Sequence, residues 1–384
     1  MKVEQVYQIV NDLTTQYLGE NVVVEADLHN IVDVGKSVID LSNLDKYVNS
    51  LIDRIGKVVF VDRTYTSKTP SLIMESWEYG AILEKIQYDG LPEAEENVTW
   101  ELVNQQVYEQ DKFTQPTVSA KFFSKKVTYD IPMSFARRQI ESAFTSRGQI
   151  NAFFSMIENT IDKSMTVKID ELAMGALNNM IGNTIHTASG MTSINLLALY
   201  NEKFGQTLEA AKAIYDPEFI RFASYQIALT AERMQRLSIL FNTNGKERFT
   251  SANRMSLILL SEFAKSADAY LQSDVYHNEF TKLPKADTVP YWQGSGTSYD
   301  FSSTSKINVK INDGATTGGV SVEESGILGV MFDREAVAVS NLDRRVRTHN
   351  NERAEFINNW YKFDCGYFND LNENFVVFYV KDAN

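Results

Sequence analysis

Between Ser146 and Ile181 the chain keeps one unbroken apolar stripe. Ile150, Phe153, Phe154, Ile157, Ile161, Met165, Ile169, Ala173, Leu177 and Ile181 recur every three or four residues, the spacing that puts side chains on one face of an α-helix. Ser146 and Gln149 stand three apart, as a capping box requires. The spacing predicts a helix over 146–182. At 1.5 Å per residue it is a rod of ~50 Å, beyond an ordinary globular helix. Gly175 weakens its last turns.

The flanking segments are shorter. Val3, Val6, Tyr7, Val10, Leu13 and Tyr17 mark a first helix stopped by Gly19, and Leu41, Leu44, Val48, Leu51 and Ile55 mark a second ending before Gly56. From Lys57 to Asp130 the texture is that of strand, in KVVFVDRTYT and VSAKFFSKKVTYDI. Between those runs lies an acidic segment bounded by Pro92 and Pro116, which has no core content of its own and reaches for a partner.

Beyond the long helix, Asp216-Pro217-Glu218 opens another, whose stripe of Ile220, Ala223, Ile227, Met234, Leu237 and Phe241 runs up to Asn244-Gly245. MSLILL (255–260) reads as a buried strand and EFAKSADAYLQS as a helix. Residues 294–326, rich in Gly, Ser and Thr around KINVKI, read as an exposed hairpin or loop. Strands return in GVMFDREAVAV, across 335–348 and 355–369, and in NFVVFYV. No internal repeat is present.

With 384 residues, 43% of them hydrophobic, the chain has material for a large core. Its net charge of −13 argues against general nucleic-acid binding, which needs a basic face. One cysteine excludes an intrachain disulfide framework and a multi-cysteine zinc site. MKVEQVYQIV lacks the basic and apolar regions of a secretory signal, and FVVFYV is too short to span a bilayer. These point to a soluble chain made in a cytoplasm, with no membrane partner.

Sites of chemistry are scarce. Gly35-Lys36-Ser37 has Asn30 where a phosphate loop needs glycine, and the GSG at 294–296 opens no helix. His29, His186, His277 and His349 have no zinc spacing. Cys365, His349, Asp364 and Asp370 suggest a thiol, its base and an orienting acid. A hairpin of 335–348 and 355–369 puts its tip near Asn350 to Arg353, beside His349 and on the order of 30 Å from Cys365. A catalytic pair needs ~3 Å. On the second strand Cys365 shares an apolar row with Ile357, Tyr361, Phe363 and Tyr367, Asn359 being the exception, and reads as a small core hydrophobe. No catalytic, cofactor-binding or metal residue is assigned. Arg344, Arg345, Arg347 and Arg353 interleave with Asp343, Glu352 and Glu355, a mixed charge that suits ion pairs with a neighbour.

The order of these elements resembles the major capsid protein of tailed bacteriophages, the Hong Kong ninety-seven-type α+β fold, and most nearly that of the phi-twenty-nine-like short-tailed phages. HNIVDVGKSVIDLSNLDKYVNSLIDRIGKVVF (29–60) and ILGVMFDREAVAVSNLDRRVRTHNN followed by NNWYKFDCGYFND (327–370) carry the resemblance. It implies an N-terminal arm (1–56) and an extended β loop (57–127) that overlaps a neighbouring subunit. It implies a peripheral domain (128–205 and 335–369) with the spine helix and a long β-ribbon, and an axial domain (206–334 and 370–384). It implies a non-enzymatic shell subunit that forms hexamers and pentamers around double-stranded DNA, in a virion assembled in the host cytoplasm.

Within that frame Glu93, Glu95 and Glu96 are expected to pair with Lys121, Lys125 and Lys126, in the loop or across subunits, and Arg344, Arg345, Arg347 and Arg353 to meet neighbours. No assembly domain precedes the arm, so a separate scaffolding protein and a portal are expected partners; no decoration domain follows the last strand. An encapsulin-type compartment shell and, further off, a cytoplasmic hydrolase are the alternatives.

Overall fold

The computed structural model describes residues 3–18, 24–25, 30–39, 46–47, 50–51, 54, 69–74, 83–88, 94, 96, 101–108, 111, 115, 117–136, 138–139, 142, 147–272, 285–292, 305–312 and 319–382. In chain order the helices are α1 (Val3–Leu18), α2 (Ile31–Ile39), α3 (Arg147–Thr187), α4 (Leu196–Phe204), α5 (Ala210–Ala213), α6 (Pro217–Met234) and α7 (Ser261–Gln272). The strands are β1 (Ile73–Met74), β2 (Leu83–Tyr88), β3 (Val118–Phe123), β4 (Lys126–Ala136), β5 (Ser193–Asn195), β6 (Met255–Leu260) and β7 (Asp287–Val289), then β8 (Ile307–Ile311), β9 (Val320–Glu324), β10 (Ile327–Asp333), β11 (Val337–Asn351), β12 (Phe356–Asn369) and β13 (Phe375–Tyr379).

Two compact units result. Met1–Ala81, Lys126–Leu172 and Val339–Gly366 make one; Ile82–Lys125, Ala173–Ala338 and Tyr367–Asn384 make the other.

The first unit is built on a sheet of order β1-β11-β12-β4. Antiparallel pairing of β12 with β4 runs from Phe356 opposite Ala136 to Gly366 opposite Lys126. Pro132 fits there because β4 is an edge strand, where a missing N–H can face away from the ladder. On β12 alternate residues Ile357, Asn359, Tyr361, Phe363 and Cys365 are buried, the period of two that a strand imposes. The α3 stripe covers this sheet: Phe153 meets Phe135 edge-on at 5.6 Å, and Ile150, Ile157 and Ile161 are fully buried. In the arm, α1 buries Val6, Val10 and Leu13, and Tyr17 bonds Ser50 at 2.9 Å.

The second unit is a mixed sheet of order β5-β13-β10-β6-β7. Its central strand β10 is buried along its whole length. Gly329 is required there: a side-chain carbon would stand 2.9 Å from the Ile258 carbonyl of β6. Asp216 caps α6 by accepting the Phe219 N–H at 2.8 Å, with Pro217 in the first turn. Tyr200 of α4 meets Phe219 edge-on at 5.6 Å.

Several expectations need adjusting. The long helix runs to Thr187, because burial of Leu177, Met180, Ile181 and Thr184 outweighs the propensity loss at Gly175. The expected continuation of α6 through Leu237 to Phe241 is absent. Its last carbonyl, on Met234, accepts the Thr250 N–H at 2.8 Å, and Ser238 and Arg248 exchange backbone bonds of 3.0 Å, which turns the chain back. VSAKFFSKKVTYDI is not one strand: β3 and β4 belong to different sheets.

The helix α2 is not among the elements expected from the sequence, although Ile31, Val34 and Val38 stand at helical spacing; of the helix expected to follow it, residues 46–47, 50–51 and 54 are described, all helical. The strand KVVFVDRTYT and Ser146 of the capping box lie outside the described residues. Of the 294–326 stretch, the described part is the hairpin of β8 and β9.

Candidate assembly interface

In the second unit β2 and β3 form a two-stranded antiparallel ribbon in which Glu84 faces Phe122, Lys85 faces Lys121, Ile86 faces Ala120 and Gln87 faces Ser119. Alternation sorts these residues onto two faces, and the sorting is the reverse of a soluble hairpin's. Ile86, Val118 and Phe122 are 68%, 55% and 63% exposed. Leu102, Val103 and Val107, in the segment between the strands, are also exposed, at 83%, 60% and 92%. Scattered surface apolars are ordinary, but a run of large ones on a single ribbon marks a contact surface.

The opposite face, with Lys85, Gln87, Ser119 and Lys121, is the half-buried one. Lys85 Nζ lies 2.7 Å from Glu373 Oε1, 3.1 Å from Asp370 Oδ2 and 3.2 Å from Glu335 Oε2. Lys121 Nζ lies 2.9 Å from Asp370 Oδ1. Gln87 Nε2 donates to Glu373 at 3.2 Å, and its carbonyl accepts from Arg248 Nη2 at 2.6 Å. At the end of this face Phe123 packs on Phe368, centroids 5.1 Å apart.

The acidic side is itself rigid. Asp370 accepts the Asn372 N–H at 3.1 Å and donates its own to the Ala336 carbonyl at 2.7 Å, while Phe375 donates to the Phe241 carbonyl at 2.8 Å. Burial raises the Asp370 carboxyl, but Lys121, Lys85 and the Asn372 N–H outweigh it and hold its pKa below the usual value. Burial likewise opposes the charge on Lys85, and Glu373, Asp370 and Glu335 more than restore it. Charges this buried persist only because they are paired.

Of the residues singled out in the sequence, Lys121 sits in this cluster, with Asp370 as its acidic partner. Glu93 and Glu95 lie outside the described residues; Glu96, Lys125 and Lys126 are exposed. On the β11–β12 ribbon of the first unit, Arg345 bridges Asp343 at 2.8 Å and Asp364 at 2.9 Å. The Arg345 bond lowers the Asp364 pKa, against burial and with help from Thr128. Arg344 is half-buried; Arg347 and Arg353 are exposed, Arg353 in the turn at 352–355. Cys365 is fully buried, and loss of solvent pushes its thiol up to about 12, the wrong direction for a nucleophile. His349 is exposed.

Nothing in the sequence marks Lys85, Arg248 and Glu373 as site residues, and Asp370 stands out there only through its nearness to Cys365. The one local hint was the polar run Asp370-Leu371-Asn372-Glu373-Asn374 set directly before the buried strand FVVFY.

The mixed helix-and-sheet fold is shared with solved phage capsid proteins of the Hong Kong ninety-seven type. The capsid structure of Staphylococcus phage Andhra is similar with a TM-score of 0.53 at 8% identity, over 84% of this chain and 86% of that one. The capsid structure of the Cyanophage P-SCSP1u is similar at a TM-score of 0.45 and 11% identity, over 81% and 86%. No curated protein matches. Residues 6–379 match the family of Phi29-like phage major capsid proteins, and the chain belongs to that family. It is a structural subunit of a phage capsid. That membership selects the phage shell over the encapsulin-type compartment.

Proposed function

We propose that the chain assembles through its own copies, as hexamers and pentamers, into a closed shell around a double-stranded DNA genome. The observation that carries this is the inverted ribbon of β2 and β3, whose apolar face is turned outward. Leaving that face in water costs free energy that contact with a second copy recovers. In this reading the stretch 57–127 is the extended loop that laps onto a neighbour. The arm, peripheral and axial divisions follow the boundaries expected from the sequence.

Glu93, Glu95 and Glu96 pair with lysines such as Lys125 and Lys126, and Arg347 and Arg353 meet acidic groups of adjoining copies. The shell uses a separate scaffolding protein and a portal, is assembled in the host cytoplasm, and acts without catalysis. Its net charge of −13 keeps the wall from adhering to packaged DNA.

Sedimentation velocity with negative-stain electron microscopy tests this, on the purified protein alone and with the product of the adjacent gene as scaffold. Shells, tubes or hexameric rings are expected. A strictly monomeric species under every condition, crowding included, would overturn the proposal.

A further inference from the structure

Lys85 and Lys121 stand directly opposite each other across the β2–β3 ladder, on the same face. Like charges in that position repel and weaken strand pairing. Here one carboxylate answers both: Asp370, its side chain fully buried, takes Lys85 on Oδ2 at 3.1 Å and Lys121 on Oδ1 at 2.9 Å. Around it Glu373 and Glu335 hold Lys85, Arg248 lies 3.5 Å from Glu373, and Arg254 joins Glu335 to Asp333. Four cations meet four carboxylates, so the cluster is neutral as a whole.

A strand ribbon has only two faces, and a slip of one residue exchanges them. Such a slip would turn Lys85 away from the carboxylates and carry Ile86 towards them. The cluster therefore rewards a single register, the one that leaves Ile86, Val118 and Phe122 outward.

We propose that Asp370 is a positioning residue for assembly: by bridging the cross-strand pair Lys85 and Lys121 it seats the ribbon on its own subunit and selects the face offered to a neighbour. The ribbon then has two states. Seated, it is paired and presents its apolar face; unseated, the lysines repel and the pairing frays. The proposal rests on the reading of the ribbon as a subunit contact and adds what holds it ready. The pKa directions of Asp370 and Lys85, each displaced towards its charged form, agree with it.

The test is amide hydrogen exchange on the full-length protein, read at β2 and β3 against β10 and β13, together with electron microscopy of the assembly products. Asp370→Asn keeps the shape and the acceptor for the Asn372 N–H but removes the charge. It is expected to raise exchange in β2 and β3 by about a hundredfold to a few thousandfold, the size expected when one member of a buried ion pair is lost, with β10 and β13 unchanged. Shells should be absent or irregular.

Adding Lys121→Gln to that variant removes the repulsion and should recover about tenfold of the exchange protection, a coupling that mere loss of a structural contact would not show. Lys85→Met leaves the 370–374 turn intact, takes from Asp370, Glu373 and Glu335 the cation they share, and should loosen the ribbon in the same way even if Asp370→Asn fails to fold. Wild-type exchange in the single variants, no recovery in the double variant, or regular shells at wild-type yield from a loosened ribbon would each overturn the inference. If the wild-type protein itself forms no assemblies, the reading of the ribbon as a subunit contact fails, and exchange alone decides whether Asp370 seats it.

Discussion

Replacing Ile86 and Phe122 together by serine separates folding from assembly. Both side chains are about two-thirds exposed in the subunit, so little of their apolar surface contributes to its fold. Complete burial of such a side chain is worth ~1.5–3 kcal/mol, so covering the exposed two-thirds yields roughly 1–2 kcal/mol each. Together that is about 2–4 kcal/mol per ribbon, or ~30- to 1,000-fold in the affinity of one subunit contact. The monomer should lose no more than ~0.5 kcal/mol per site, the usual effect of a surface change.

Light scattering against protein concentration measures the threshold for assembly, and urea unfolding of the unassembled subunit measures its stability. The expected result is a threshold raised at least tenfold with an unfolding midpoint nearly unchanged. An unchanged threshold would refute the assignment of this face to a contact. A midpoint that falls by the full 2–4 kcal/mol equivalent would show that the two side chains already pack within the subunit.

Ile161→Ala removes a fully buried side chain from the centre of the α3 stripe and should cost ~2–5 kcal/mol, read as a lowered midpoint in thermal or urea unfolding of the subunit. Cys365 should resist thiol reagents at pH 8 in the folded protein and react at once in urea. Its thiol ionises from about 9.0 when unfolded and about 12 when folded, so its contribution to stability is complete below pH 9 and is lost as pH rises through that window; Cys365→Ala should lessen the alkaline loss seen in urea titrations. The seat of the ribbon has a wide pH range. Asp370 has its folded pKa below 3.8, so its share is complete above that value and lost as pH falls further. Lys85 has its folded pKa above 10.5, so its share is complete below that value and lost at higher pH. Exchange in β2 and β3 should therefore hold steady from pH 5 to 9, once corrected for intrinsic rates, and climb only as pH falls below the ordinary aspartate value of 3.8.

What the sequence made legible was what periodicity encodes. Ten apolar positions on one helical stripe outweigh a single glycine, so α3 is plain in the sequence, although the stripe ends at Ile181, more than a turn short of the helix's end at Thr187. The buried row of β12 was equally visible, and with it Cys365 as a core residue; Asn359, which broke the apolar pattern, is buried in the same row. The seat was not legible, because its lysine–carboxylate pairs join residues 249 to 288 positions apart, and no local pattern marks which lysine meets which carboxylate. Nor was the ribbon's inversion: LEKIQY alternates polar with apolar only from Lys85 on and VSAKFF only as far as Phe122, and alternation alone does not say which face looks inward. The end of α6 escaped for the same reason, since the Thr250 N–H that caps it comes from a distant loop.

The inversion also explains how an acidic protein can be a self-associating one. Each copy carries a net charge of −13, and copies approaching one another repel over the ~8 Å that salt leaves unscreened at physiological strength. Apolar contact acts only where surfaces touch and water is expelled. The lysines that could have softened the repulsion at the ribbon are already neutralised within the subunit by Asp370, Glu373 and Glu335. What the ribbon offers a neighbour is thus mainly apolar, Ile86, Val118 and Phe122, with Glu84 as the charged residue among the described ones on that face. In the shell proposed for this chain, a contact of a few kcal/mol made that way is too weak to hold two subunits at low concentration, yet repeated around a closed symmetric ring it would become cooperative. Weakness of the single contact lets a wrongly placed subunit leave before its neighbours lock it in.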